Sequence, residues 1–109
     1  MSNVIEITSK EQLESVIANN SAVIIDFYAA WCAPCKQLSP VLDTISTDKK
    51  NVKICKVNVE DNSDISSEYD IRSIPTMVYY HNQSKSGLPT KGFLTQNQIN
   101  SEIETRFSS

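Results

Sequence analysis

From its amino terminus the chain alternates apolar runs with helical spacings. Val4-Ile5-Glu6-Ile7 has the make-up of a short strand, and Ser9 with Gln12 three residues on resembles a capping box ahead of Leu13, Val16 and Ile17, which share one helix face. Ala22 to Tyr28 is an almost unbroken apolar run, as expected of a central strand covered on both faces. Leu38, Val41, Leu42 and Ile45 then recur at helical spacing and predict a helix from about Pro34 to Lys49. Pro40 lies inside it and is expected to bend it, because its ring removes a backbone donor and crowds the preceding turn. Val52 to Val59 predicts a second buried strand, followed by a short helix around Ser63 to Tyr69. Thr76 to Tyr80 and roughly Leu88 to Phe93 read as strands of a hairpin, with Ser84-Lys85-Ser86-Gly87 as a turn between them. Ile99, Ile103 and Phe107 mark one face of a last helix that Thr95 caps.

The expected order is βαβαβαββα. The first part predicts parallel crossovers and the close spacing of the last two strands an antiparallel hairpin, so the fold class is α/β, a mixed sheet flanked by helices. In such sheets sites form beyond the carboxyl ends of strands, and Tyr28 leads straight into a cysteine-containing segment. No repeat or linker divides the 109 residues, and one domain over 1–109 is expected. With 39% hydrophobic and 21% charged residues, the chain holds enough apolar side chain to fold without metal or disulfide staples.

A net charge of −3 provides no basic field, which argues against nucleic acid and anionic lipid as partners. No stretch reaches the ~20 apolar residues that span a bilayer. Met1 to Glu6 carries no basic segment followed by an apolar run, so a cytoplasmic location is expected. Three cysteines, two of them three apart, do not resemble a secreted disulfide framework; redox chemistry or half a metal site remains.

Those two stand in Trp31-Cys32-Ala33-Pro34-Cys35-Lys36, where a buried strand hands over to a helix. Cys32 then faces unpaired backbone N–H groups and the positive end of the helix dipole, which favour its thiolate, the nucleophile of disulfide exchange. Cys35, one turn inside, is the better resolving thiol. The competing reading is a zinc site, but the other Cys and His, Cys55 and His81, do not form a second ligand pair.

Asp26 stands between Ile25 and Phe27 in the central strand, where an ionised carboxylate is costly and its pKa should rise. Strand geometry sets it beneath the redox helix, where it could exchange a proton with Cys35 or serve as a satisfied structural carboxylate. Lys56 shares parity with Ile54 on the neighbouring strand and is a candidate charge partner, or else a solvated lysine. Trp31 and Pro34 flank the nucleophile and could shield it and offer an apolar surface to substrates; for Trp31 a core-packing role is the alternative. Ile74-Pro75-Thr76 begins a strand, where a proline is tolerated in either isomer. Cys55, mid-strand, reads as an inert buried thiol and His81 as a surface residue at a turn.

Asp26-Phe27-Tyr28-Ala29-Ala30-Trp31-Cys32-Ala33-Pro34-Cys35-Lys36, then Pro40, then Tyr69-Asp70-Ile71-Arg72-Ser73-Ile74-Pro75-Thr76, resembles the thioredoxin family over nearly the whole chain. The resemblance implies a thioredoxin fold, a redox-active Cys32–Cys35 disulfide, a buried acid at Asp26 with Lys56 nearby and a cis Pro75. It also implies substrate contacts at Trp31, Ala33, Pro34, Ile74, Pro75 and Gly92. It further implies a monomeric protein-disulfide reductase without a bound cofactor, reduced by a flavin-dependent thioredoxin reductase using NADPH. The alternatives are an oxidase or isomerase if the chain is exported, or a binding module that docks partners regardless of redox state.

The chain departs from the family pattern at several positions. Ala33 replaces the usual glycine between the cysteines, Tyr28 the common tryptophan, and Asp70 and Ser73 glycines, while the hairpin around Asn82 to Leu88 is atypical. Because the dipeptide between the cysteines tunes redox poise, Ala33 bears on the direction of the reaction more than on its type.

Overall fold

The computed structural model describes residues 2–108. The elements run β1 (Ile5–Ile7), α1 (Lys10–Asn19), β2 (Ala22–Tyr28), α2 (Ala33–Asp48), β3 (Lys53–Asn58), α3 (Ser63–Glu68), β4 (Thr76–His81), β5 (Ser84–Lys85), β6 (Thr90–Lys91) and α4 (Gln96–Arg106). One sheet takes the order β1-β3-β2-β4-β5, and β6 also pairs with β4. β1, β3 and β2 are parallel to one another, and β4 is antiparallel to β2, to β5 and to β6.

The alternation of side chains along β2 divides the core into two layers. Ala22 and Ile24 pack with Ile54, Met77 and Tyr79 against Leu38, Leu42 and Ile45 of α2 and Ile99 and Ile103 of α4. Val23, Ile25 and Phe27 pack with Cys55, Val57 and Val78 against Leu13 of α1 and Ile65 of α3. This two-sided burial is why β2 reads as a continuous apolar run. By the same parity Asp26 belongs to the face that α2 and α4 cover.

The helix starts follow the expected chemistry, with one refinement. Thr95 caps α4 through a full capping box, its hydroxyl accepting from the Gln98 N–H while Gln98 Oε1 accepts from the Thr95 N–H. Ser9 accepts from the Gln12 N–H at 3.1 Å, but Gln12 Oε1 accepts from Thr8 N–H at 2.7 Å, one residue ahead of the cap. α2 continues unbroken through Pro40.

The hairpin differs from expectation. Asn82 and Gln83, at φ 51° and 70°, form a two-residue turn that pairs His81 with Ser84, so part of the expected turn is the short strand β5. The expected strand over Leu88 to Phe93 shrinks to Thr90–Lys91, and the order becomes βαβαβαβββα. Pro89 brings no N–H to a ladder, and Gly87, at φ 72°, turns the chain away beforehand. Arg106 fastens the result. Its guanidinium donates to the Ser86 carbonyl at 2.7 Å, and Ser86 Oγ donates to the Arg106 carbonyl at 2.7 Å.

Candidate active site

Cys32 is the N-cap of α2, in extended backbone, and Ala33, Pro34 and Cys35 form the first helical turn. Helix starts leave N–H groups unpaired; here Pro34 has none to leave, and the Cys35 N–H points at Cys32 Sγ from 3.2 Å. The sequence therefore folds so that a donor of the first turn meets the sulfur. Cys32 and Cys35 are joined by a disulfide, and both are almost wholly buried.

Around the sulfurs, Ala29 completes a small buried cluster flanked by Tyr28, Val59 and Ile74. Cys32 Sγ lies 3.9 Å from the Ile74 carbonyl oxygen; a disulfide sulfur has no proton to donate, so this is a packing contact. The Ile74–Pro75 bond is cis. Gly92 donates its N–H to the Pro75 carbonyl at 2.8 Å, at a φ of 86° that L side chains disfavour. Trp31 is 67% exposed, which excludes a core-packing role, and Ala33 and Pro34 are exposed beside it. Next to Trp31 a hollow of about 220 Å³ is lined by Val59, Ile71, Arg72, Ser73 and Ile74. Val59, Ile71 and Arg72 carry no chemical signal of their own in the sequence, since they reach this hollow only through the return of the chain around α3.

Asp26 is fully buried, and neither carboxyl oxygen has a hydrogen-bond partner among the described residues. Burial pushes its pKa up to about 7, partly offset by the Lys56 charge and slightly reinforced by Glu6. Lys56 lies directly across from Asp26 in the β2–β3 register, yet no ion pair joins them among the described residues. Its ammonium instead donates to Ser39 Oγ at 3.0 Å and sits 4.3 Å from the centroid of the Tyr28 ring. The Tyr28 hydroxyl donates to Glu6 Oε2 at 2.7 Å. Glu6 and Ser39 are thus neighbours of the site that sequence reading did not single out, and Tyr28, noted there as a departure from the family pattern, joins them.

Cys55 is fully buried on the opposite face of the sheet, donates to the Ile24 carbonyl at 3.6 Å, and has its thiol pushed up to about 12 by burial. His81 is half-buried at the end of β4, its ring 6.0 Å from that of Phe107, and so is less a free surface residue than expected. Among the described residues no group of three or more His, Cys, Asp or Glu side chains is arranged to hold a metal ion. No helix among them is long and apolar enough to cross a membrane.

A disulfide across the first turn of a helix, at the carboxyl end of a central strand and above a buried carboxyl, is the architecture of a thiol–disulfide oxidoreductase. The family model described as Thioredoxin matches residues 3–105. A thioredoxin of Mycoplasmoides gallisepticum is 41% identical over 93 residues, covering 85% of this chain and 92% of that one. A thioredoxin of Rickettsia bellii is 39% identical over 102 residues, covering 89% and 96%. The solved structure of a mutant thioredoxin from Halobacterium salinarum NRC-1 superposes with a TM-score of 0.90 at 26% identity, covering 100% of this chain and 96% of that one. The chain belongs to the thioredoxin family, and its activity is that of a protein-disulfide reductase.

Proposed function

We propose that the chain, acting as one monomeric domain, reduces protein disulfides through unequal roles of its two cysteines. In the reduced form the Cys32 thiolate attacks a substrate disulfide; one sulfur of that disulfide joins Cys32 and the other leaves as a thiol. Cys35 then loses its proton and attacks Cys32 Sγ. The Cys32–Cys35 bond forms, the mixed disulfide breaks, and the substrate's second sulfur leaves with a proton. Two electrons pass from the dithiol to the substrate, and no bound cofactor takes part.

The observation that carries this reading is the Cys35 N–H directed at Cys32 Sγ from 3.2 Å, which with the positive end of the α2 dipole favours negative charge on that sulfur. Asp26 is the proton acceptor for Cys35, a carboxyl matched to the task by a pKa near neutrality, with Lys56 as a nearby charge that modulates it. Trp31, Ala33, Pro34, Ile74, Pro75 and Gly92 form the surface on which an extended substrate segment lies. The dithiol is regenerated by a thioredoxin reductase using NADPH, in the cytoplasm.

Turbidity of insulin, reduced with dithiothreitol or with NADPH and a thioredoxin reductase as donor, tests the proposal. Catalysis well above the rate with donor alone is expected. No acceleration with either donor would overturn it.

A further inference from the structure

Lys56 has two places to put its ammonium. It is the register neighbour of Asp26 on one side and of Glu6 on the other, so all three side chains start from the same face of the sheet on adjacent strands about 5 Å apart. A lysine stem is long enough to bring the ammonium onto the Asp26 carboxyl, whose two oxygens have no partner among the described residues. The ammonium is elsewhere, on Ser39 Oγ of α2 and over the face of Tyr28. Tyr28 is itself anchored, because its hydroxyl is tied to Glu6 Oε2 at 2.7 Å.

We propose that Ser39 and Tyr28, the latter anchored by Glu6, are positioning residues of the redox reaction, which hold the Lys56 ammonium off Asp26 and keep that carboxyl a proton acceptor for Cys35. The inference rests on the role given to Asp26 above. The physical case is a competition. An ion pair with Asp26 would require both groups to be desolvated under α2, whereas a hydroxyl and an aromatic face at the half-buried rim accept the ammonium while its remaining protons stay near water. A carboxylate locked in an ion pair would lose its affinity for protons and could no longer draw one from a thiol.

The groups that act on Asp26 are Lys56 from β3 and Glu6 from β1. Its charge is felt in turn by Tyr28 on its own strand, Tyr79 on β4 and Cys55 on β3, and α2 contributes the Ser39 hydroxyl through Lys56. Any effect of Ser39 on Asp26 should therefore pass through Lys56, whereas Tyr28 also reaches Asp26 through the Glu6 carboxylate it holds.

Carbon-13 NMR of the Asp26 carboxyl, followed against pH in the oxidised protein where Cys32 and Cys35 do not titrate, measures this directly. Ser39→Ala and Tyr28→Leu should each lower the Asp26 midpoint by about one pH unit, the change expected when a charge moves from about 6 Å to about 4 Å at an effective dielectric near 20. Tyr28→Phe, which keeps the ring and loses the tie to Glu6, should fall between Tyr28→Leu and wild type. In a Lys56→Met background Ser39→Ala should shift nothing, and Tyr28→Leu should shift the midpoint less than it does with Lys56 present. Equal shifts with and without Lys56, or no shift from Ser39→Ala, a substitution mild in a helix, would overturn the proposal. Insulin reduction by the wild type is read alongside: its absence would defeat the reductase reading, whereas a failed titration prediction beside normal insulin reduction would defeat the positioning role alone.

Discussion

The backbone N–H of Cys35 points at the sulfur of Cys32, and no comparable donor among the described residues points back at the sulfur of Cys35. The asymmetry predicts unequal fates for the two single variants. Cys35→Ser should accumulate mixed disulfides with substrate proteins through Cys32, released by dithiothreitol, and Cys32→Ser should accumulate few or none. Both should lose multiple-turnover insulin reduction. Capture on an affinity resin followed by release with dithiothreitol compares them. Equal, dithiothreitol-insensitive recovery of the same partners would favour noncovalent docking instead.

Burial of Asp26 predicts an unusual dependence of stability on pH. Its folded pKa of about 7 lies above the ordinary carboxyl value of 3.8, so the folded state holds a proton that the unfolded state has released. The cost of ionising it is absent below about pH 4, grows between pH 4 and 7, and is complete above, at roughly 4 kcal/mol. Asp26→Asn removes this cost but buries an amide without partners, worth about 1–3 kcal/mol. The variant should be more stable than wild type by about 2 kcal/mol at pH 8 and not at pH 5, as urea titrations at the two values would measure. Its insulin reduction should be slower. A loss of stability at pH 8 with unchanged turnover would make Asp26 structural.

Cys55, enclosed and with its thiol pushed up to about 12, should be unreactive in the native state. A Cys32→Ser, Cys35→Ser double variant should not react with a disulfide reagent at pH 8 until denaturant is added, and should then release one equivalent of chromophore. Rapid native reaction would reopen a redox role for Cys55.

Arg106 fastens the hairpin to α4. It lies 4.0 Å over the Tyr79 ring, pairs with Glu102 at 2.8 Å and satisfies the Ser86 carbonyl. Arg106→Ala should destabilise the fold by about 2–3 kcal/mol, since it strands a carbonyl and uncovers an aromatic face. Glu102→Gln should cost well under about 1 kcal/mol, the pair lying partly in solvent. Thermal unfolding distinguishes the two, and a silent Arg106→Ala would show that the hairpin holds without its clamp.

Much of this architecture is legible in the sequence because its causes are local. The period of two along Ala22–Tyr28 assigns Ile24 and Asp26 to one face and Ile25 and Phe27 to the other, whatever packs on them. The helical period from Leu38 to Ile45 orients α2, and the junction at Cys32 sets a sulfur before a helix start. The hairpin is less legible: Asn82 and Gln83 are tolerated in a left-handed turn without demanding one, and only Pro89 hints that the following strand is short. The Ile74–Pro75 isomer cannot be read from its neighbours, because the intrinsic preference is only about 0.5–1 kcal/mol.

What the sequence determined by itself is the order of elements up to the hairpin, the faces they bury and the placing of Cys32, Cys35 and Asp26 on them, since each follows from spacing within one segment. What only the tertiary structure decided is how segments far apart in the chain meet: that Asp26 has no hydrogen-bond partner among the described residues, that Lys56 turns to Ser39 and Tyr28, that Glu6 anchors Tyr28, and that Val59 and Ile71 line the hollow beside Trp31. The physical reason is strand register. Pairing Glu6, Lys56 and Asp26 across three strands depends on how β1, β3 and β2 align once both faces are packed, and a slip of one residue would turn each of them to the other side of the sheet.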